Sequence, residues 1–260
     1  MILVDTHCHL TSEAFQGEVN AVIDRAVAAG VHAMITVGTD ASDARAALEL
    51  TRGRKELRVA AGIHPHEVAK AVPDDLAVLC RIWADPLCVA AGEVGLDYHY
   101  DYSPRGVQRE WLARQLDAAA ETGLPVIIHS REAHEDAVAI LKRCGFENRP
   151  VVFHCFSGTA EQAAEILACG WRASFSGVVT FRKSAVLQSV AAAHPADRLL
   201  IETDSPFLSP EPVRARRPNE PAFVRHVATF LAGLRGVSAD DLAAQTTSNA
   251  QAFFGLPRQP

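Results

Sequence analysis

The stretch Ile2-Leu3-Val4-Asp5-Thr6-His7-Cys8-His9 sets an apolar run against a polar end. Side chains on a β-strand alternate between faces, so Asp5, His7 and His9 point one way while Thr6 and Cys8 point the other. Two imidazoles aimed at one spot are half of a metal site. The same grammar recurs along the chain. Val59-Ala60-Ala61 precedes His64, Val89-Ala90-Ala91 precedes Glu93, and Val126-Ile127-Ile128 precedes His129. Val151-Val152-Phe153 precedes His154, and Leu199-Leu200-Ile201 precedes Asp204. Ala33-Met34-Ile35-Thr36-Val37 and Ala173-Ser174-Phe175 complete eight runs. Short continuous apolar runs of this kind suit parallel strands covered on both faces.

Helical periodicity fills the gaps. Residues 17–29, 105–122, 132–143, 160–168, 184–193 and 220–234 carry apolar positions at helical spacing. Gly30 and Gly123 stop the first two. A last helix is expected over 238–254, with Ser238 as N-cap and Asp240-Asp241 in its first turn. Strand-like runs alternating with helices predict an α/β fold, and at this length a closed (β/α)8 TIM barrel forming one domain over residues 1–260. Residues 257–260 are expected to be a loose tail.

Composition narrows the function classes. The chain has 260 residues, 48% of them hydrophobic and 22% charged, which suits a globular protein with a substantial core. No stretch reaches the roughly 18 apolar residues of a membrane helix. No basic region followed by an apolar stretch precedes the first strand, so no signal peptide is expected. Six scattered cysteines with no CxxC pair read as reduced thiols in a cytoplasmic protein. Cys8 and Cys155 lie beside ligand-type residues, yet alternation turns them away. A net charge of −6 argues against a long basic stripe gripping many phosphates. It leaves room for a site that holds one or two.

A (β/α)8 barrel builds its active site at the C-terminal ends of its strands, where these polar residues are expected. Four imidazoles and two carboxylates (His7, His9, His129, His154, Glu93, Asp204) exceed what one ion needs, since a catalytic zinc takes about three protein ligands. Two divalent ions are therefore expected. His7, His9 and Asp204 are assigned to one, His129 and His154 to the other, and Glu93 to both. Nitrogen and oxygen donors without thiolate suit Zn²⁺ or Mn²⁺, and Mg²⁺ less well. Such a pair activates a shared water for hydrolysis, with Asp204 and Glu93 as the catalytic carboxylates. Gly92 and Gly95 are expected to let backbone pass close to the metals, and Asp5 and Glu202 to support the ligands. His64 is read first as a contact to a substrate phosphate, with His66 nearby. His32, His99, His134, His194 and His226 are read as structural or solvent-facing. A lone His-x-His would be a weak signal; six ligand-type residues after five separate strand runs are not.

These blocks resemble the TatD-type metal-dependent deoxyribonucleases. The matching motifs are Asp5-Thr6-His7-Cys8-His9-Leu10, Gly62-Ile63-His64-Pro65-His66, Gly92-Glu93-Val94-Gly95-Leu96-Asp97-Tyr98, His129-Ser130-Arg131-Glu132-Ala133, His154-Cys155-Phe156-Ser157-Gly158 and Glu202-Thr203-Asp204-Ser205-Pro206. Asn219-Glu220-Pro221-Ala222-Phe223-Val224 is a later match. The resemblance covers nearly the whole chain. It implies a TIM barrel of the metal-dependent hydrolase type, with ligands on the six positions above. It also implies 3'-5' exonuclease-like cleavage of DNA, Mg²⁺ or Mn²⁺ as cofactor and a cytoplasmic location. The family often has Asp after the leucine of its first motif, where this chain has Thr11.

The expected substrate is DNA or a small phosphodiester, handled by a monomer without membrane attachment. His64, Arg131 and Arg182 are the expected substrate contacts. Arg182 and Lys183 follow the seventh strand, and Arg214, Arg216 and Arg217 follow the eighth, where they could meet phosphates. Tyr98, Tyr100, Tyr102 and Phe181 could stack on bases. The competing reading is an amidohydrolase or a lactone hydrolase on the same barrel. Such relatives commonly bridge their metals through a carboxylated lysine on strand 4, where this chain has Glu93. A third reading gives the metals a purely structural role.

Overall fold

The computed structural model describes residues 1–257, so 258–260 of the expected loose tail lie outside the described residues. Eight strands follow one another in a parallel sheet: β1 (Leu3–Cys8), β2 (Val31–Gly38), β3 (Leu57–Ala61), β4 (Cys88–Asp97), β5 (Val126–Arg131), β6 (Val151–Phe153), β7 (Arg172–Phe175) and β8 (Leu199–Ile201). Helices alternate with them: α1 (Val19–Ala28), α2 (Ala41–Arg52), α3 (Pro73–Trp83), α4 (Arg105–Ala119), α5 (His134–Arg143), α6 (Ala160–Ala168), α7 (Ala185–Ala193), α8 (Val224–Arg235) and α9 (Ala239–Phe254). The fold is the (β/α)8 barrel. Every residue of β1 and of β4 is buried, as expected of parallel strands covered on both faces.

The described chain separates into two compact units. One comprises Met1–Thr36, Cys155–Ala164 and the chain from Ala173 onward. In it β1 pairs with β2 from Leu3↔Val31 to Cys8↔Thr36, and β7 pairs with β8 from Ala173↔Leu199 to Phe175↔Ile201. A bridge between Cys8, the last residue of β1, and Ser205 lies beyond the end of β8. Ser238 caps α9 by accepting from the Asp241 N–H, as its sequence suggests.

The second unit comprises Val37–His154 and Glu165–Arg172. Here β3, β4, β5 and β6 pair in parallel, with Ala61 opposite Ala91, Asp97 opposite Arg131 and Ile128 opposite Phe153, and with register shifts in the β3–β4 and β4–β5 ladders. Its buried indoles are satisfied: Trp83 donates to the Ala61 carbonyl and Trp171 to that of Phe146. Two helices in this unit, α2 and α3, are absent from the sequence reading. The buried face of α2 is built from Ala41, Ala44 and Ala47, which give weak apolar contrast.

Candidate metal-binding clusters

In the first unit, the ends of β1 and β8 are tied before any ligand is considered. The Asp204 N–H donates to the His7 carbonyl at 2.9 Å, and the His9 N–H donates to that of Ser205 at 2.7 Å. Asp5, fully buried, accepts from the Thr203 N–H at 2.8 Å and the Thr203 hydroxyl at 2.6 Å. Burial pushes the Asp5 carboxyl up to about 8, against the Thr203 bonds that oppose the rise. This lock presents His7 and His9 as alternation requires, with their Nε2 atoms 3.2 Å apart. Oδ1 of Asp204 lies 3.4 Å from Nε2 of His9 and 3.9 Å from Nε2 of His7. Asp204 takes up φ 55°, a left-handed conformation unusual for a residue with a side chain. The thiols face elsewhere: Cys8 points its sulfur at the Ile35 carbonyl, and Cys155 at the Ser176 hydroxyl. Glu202 accepts from the Cys155 N–H at 2.7 Å.

In the second unit, Glu93 is the hub. Its Oε1 lies 2.6 Å from Nε2 of His154, 2.7 Å from Nδ1 of His129 and 3.4 Å from Nε2 of His64. Glu93 is inside β4 and not at its end, because the strand runs on to Asp97. His129 is likewise inside β5, and His154 directly follows β6. Asp97 grips the far side of His129, with Oδ2 3.0 Å from Nε2, and also meets Nε2 of His66 at 2.9 Å. Burial raises the Asp97 pKa, but bonds from His129, the Tyr100 N–H and His66 outweigh it and hold the carboxyl well below the usual range. His129 goes the other way. Burial lowers it, yet the bonds to Asp97 and Glu93 leave it above the ordinary imidazole value. Burial pushes His64 down to about 4 in spite of Glu93.

Two glutamines of α4 hold this constellation in place. Gln115 accepts from the Ile63 N–H at 2.7 Å and donates to the Ile63 carbonyl at 3.1 Å, fixing the backbone next to His64. Gln108 does the same for Asp97, at 2.8 and 3.0 Å. The glycines beside Glu93 meet the neighbouring strand. A Cβ on Gly95, at φ +153°, would fall on the His129 carbonyl oxygen, and one on Gly92 would crowd Ile127. They make room for the backbone of β5.

The donors fit divalent cations. Donor atoms of His7, His9 and Asp204 lie within 4.8 Å of one another, as do those of His64, Glu93 and His129. Each set mixes imidazole nitrogen with carboxylate oxygen and includes no thiolate, the chemistry suited to borderline and hard cations.

A family model described as TatD related DNase matches residues 4–255. The chain belongs to the TatD family of metal-dependent hydrolases. It is 41% identical to an uncharacterized metal-dependent hydrolase, YabD of Bacillus subtilis, over 98% of this chain and 100% of that protein. It is 39% identical to the 3'-5' ssDNA/RNA exonuclease TatD of Erwinia amylovora, over 98% and 100%. Among solved structures, the TatD homolog YJJV of Escherichia coli K12 superposes with a TM-score of 0.92 at 32% identity, covering 98% of each chain.

Within this TatD-family chain, the expected substrate residues have distinct settings. Arg131 is exposed at the end of β5, its guanidinium 4.8 Å from the Tyr100 ring centre. Arg182 is exposed just after the 3₁₀ turn Gly177–Thr180. Nearby, Arg214 lies over the Phe181 ring at 3.5 Å. His64 stands among the candidate ligands. Sequence reasoning missed Asp97, Gln108 and Gln115. The signal for the glutamines was their seven-residue spacing, which puts both on one face of α4. No helix among the described residues is long and apolar enough to cross a membrane.

Proposed function

We propose that this protein is a two-metal nuclease that removes nucleotides from the 3' end of single-stranded DNA, with small phosphodiesters as lesser substrates. In this reading, His7, His9 and Asp204 hold one ion, and Glu93, His129 and His154 hold another. The observation that carries it is the arrangement of three imidazole nitrogens within 3.4 Å of a single Glu93 oxygen, in a chain with a second His–His–Asp set. A relative at 39% identity that is named an exonuclease supports the choice of substrate. The distances favour His64 as a further ligand over the phosphate contact expected from its place in the sequence.

Divalent cations held there would make a water nucleophilic near neutral pH and offset charge on the phosphate oxygens. The chain's own groups do the rest. Asp204 is partly open to solvent, with 14% of its side chain exposed, and its carboxylate takes the proton from the attacking water. Asp97 holds His129 in one orientation through Nε2, leaving Nδ1 as the donor. Arg131 and Arg182 supply charge to the phosphates of the incoming strand.

The test uses purified, untagged protein. Elemental analysis is paired with digestion of a 5'-labelled single strand, with and without Mn²⁺ or Mg²⁺ after chelation. About two ions per chain and a ladder shortening from the 3' end are expected. Two ions with an intact strand would overturn the nuclease reading and direct the search to amides and lactones.

A further inference from the structure

Beside the Glu93 cluster, the chain exposes an aromatic surface that the metal chemistry does not use. Tyr100 and Tyr102 stack on one another, with ring centres 5.3 Å apart and planes 15° from parallel. Tyr102 is 66% exposed and Tyr100 46%; Tyr100 lies between Tyr102 and the Arg131 guanidinium, so the open ring of the pair is that of Tyr102. The other candidate aromatics are already occupied. Tyr98 is covered by Arg105 and ties its hydroxyl to Asp136, and Phe181 lies under Arg214.

The tyrosine pair is built, not dangling. Asp97 accepts from the His99 and Tyr100 N–H groups at 3.0 and 2.9 Å. Gln108 donates to the Ser103 carbonyl at 2.8 Å, and the Ser103 hydroxyl donates to the His66 carbonyl at 3.1 Å. The His66 ring meets Tyr102 edge-on, with centres 4.8 Å apart. From Tyr102 the path runs through His66 and Asp97 to His129, every step a direct contact within one compact unit. Arg131 lies against Tyr100, and among the described residues no carboxylate pairs with its guanidinium.

From this we infer that Tyr100 and Tyr102 form a stacking platform for an unpaired nucleobase next to the cleaved phosphate, with Arg131 turned to the strand's backbone. The inference rests on the nuclease reading above and adds a determinant of specificity. Every base has a π-face, so stacking grips any base. A paired base stacks within its duplex, so the platform selects frayed or single-stranded ends. Because the loop is already fixed by Asp97 and Gln108, little ordering is lost when a base lands on it.

The test compares two strands of one sequence, one normal and one with abasic residues at its 3' end. In the wild-type protein the abasic strand should raise KM about 5- to 100-fold, with kcat changed less, as loss of one or two stacked bases implies. In Tyr102→Ala that discrimination should shrink below about twofold, and Tyr102→Trp should restore it. A Tyr102→Ala protein that keeps the wild-type ratio overturns the platform. A second readout does not depend on cleavage: a phosphorothioate-linked strand carrying 2-aminopurine at its 3' end, added to the metal-loaded protein. Stacking quenches its fluorescence, and Tyr102→Ala should abolish the quenching. If no strand is shortened but the quenching is present and needs Tyr102, the nuclease reading falls and the platform stands. If quenching is absent in the wild-type protein, the platform falls.

Discussion

Nε2 of His154 stands 2.6 Å from Oε1 of Glu93, with both residues buried. A carboxylate so placed serves as hub for three imidazoles. Glu93→Gln keeps the shape and removes the charge. It should leave the protein folded while metal content falls and phosphodiester turnover drops by about 100-fold or more. Elemental analysis and hydrolysis of bis-p-nitrophenyl phosphate measure the two effects. Loss of both ions would fit the expectation that Glu93 serves each of them; loss of one would confine it to the His64–His129–His154 set.

Asp97 bonds Nε2 of His129 and would, under the proposed reading, steady that imidazole as a ligand. Asp97→Asn leaves His129 a weaker partner at Nε2, and the imidazole is no longer held as firmly. Metal affinity should fall about 10- to 100-fold with the fold intact. Competition with a chelating dye reads the affinity, and circular dichroism reads the fold.

The bonds between Asp5 and Thr203 join the start of the chain to the end of β8. Asp5→Ala leaves the buried Thr203 N–H without its acceptor, so stability should fall by about 1–3 kcal/mol. Asp5→Asn keeps an acceptor and should lose less. Urea titration measures both. A change in metal content at the His7–His9 set should accompany the larger loss.

His194 gives the fold an acid-sensitive point outside both candidate ligand sets. Its ring is buried, packs edge-on to Phe175 and lies near Arg235, whose guanidinium donates to the His194 carbonyl. Burial pushes this imidazole down to about 4. The unfolded chain, with an ordinary imidazole, therefore binds the proton first as pH falls. The contribution to stability is complete above about pH 6.5 and is lost towards pH 4. Between pH 7.5 and 5 the loss from this residue should be about 2 kcal/mol. His194→Phe should flatten the difference in urea midpoint between those two pH values by that share.

How far the chain could be read from its letters depends on the strand. Buried parallel strands read as apolar runs, so Val151-Val152-Phe153 and Leu199-Leu200-Ile201 mark β6 and β8, and α6 falls on 160–168 as read. The polar residue after each run was legible because apolar burial stops there. β4 breaks that rule. It carries Glu93 and Asp97 within one fully buried strand, so its end is not where the apolar run ends, and Asp97, though part of a matching motif, carried no expected role. Gln108 and Gln115 were hidden for another reason. They lie buried on the inward face of α4, where a reading by hydrophobicity sees only interruptions. The glycines beside Glu93 were visible, but their neighbour was not. Only the β4–β5 register shows that they face the backbone of Ile127 and His129.

The bonds between Asp5 and Thr203 span 198 positions of sequence, whereas the imidazoles around Glu93 all lie between residues 64 and 154. Chains are made from the N-terminus. During synthesis the donors of the second set are therefore all present while the first still lacks its carboxylate. His7 and His9 leave the ribosome early and wait for Asp204, which arrives only with the last quarter of the protein. A chain cut short between residues 154 and 204 carries His64, Glu93, His129 and His154 but only two of the three donors of the first set, His7 and His9.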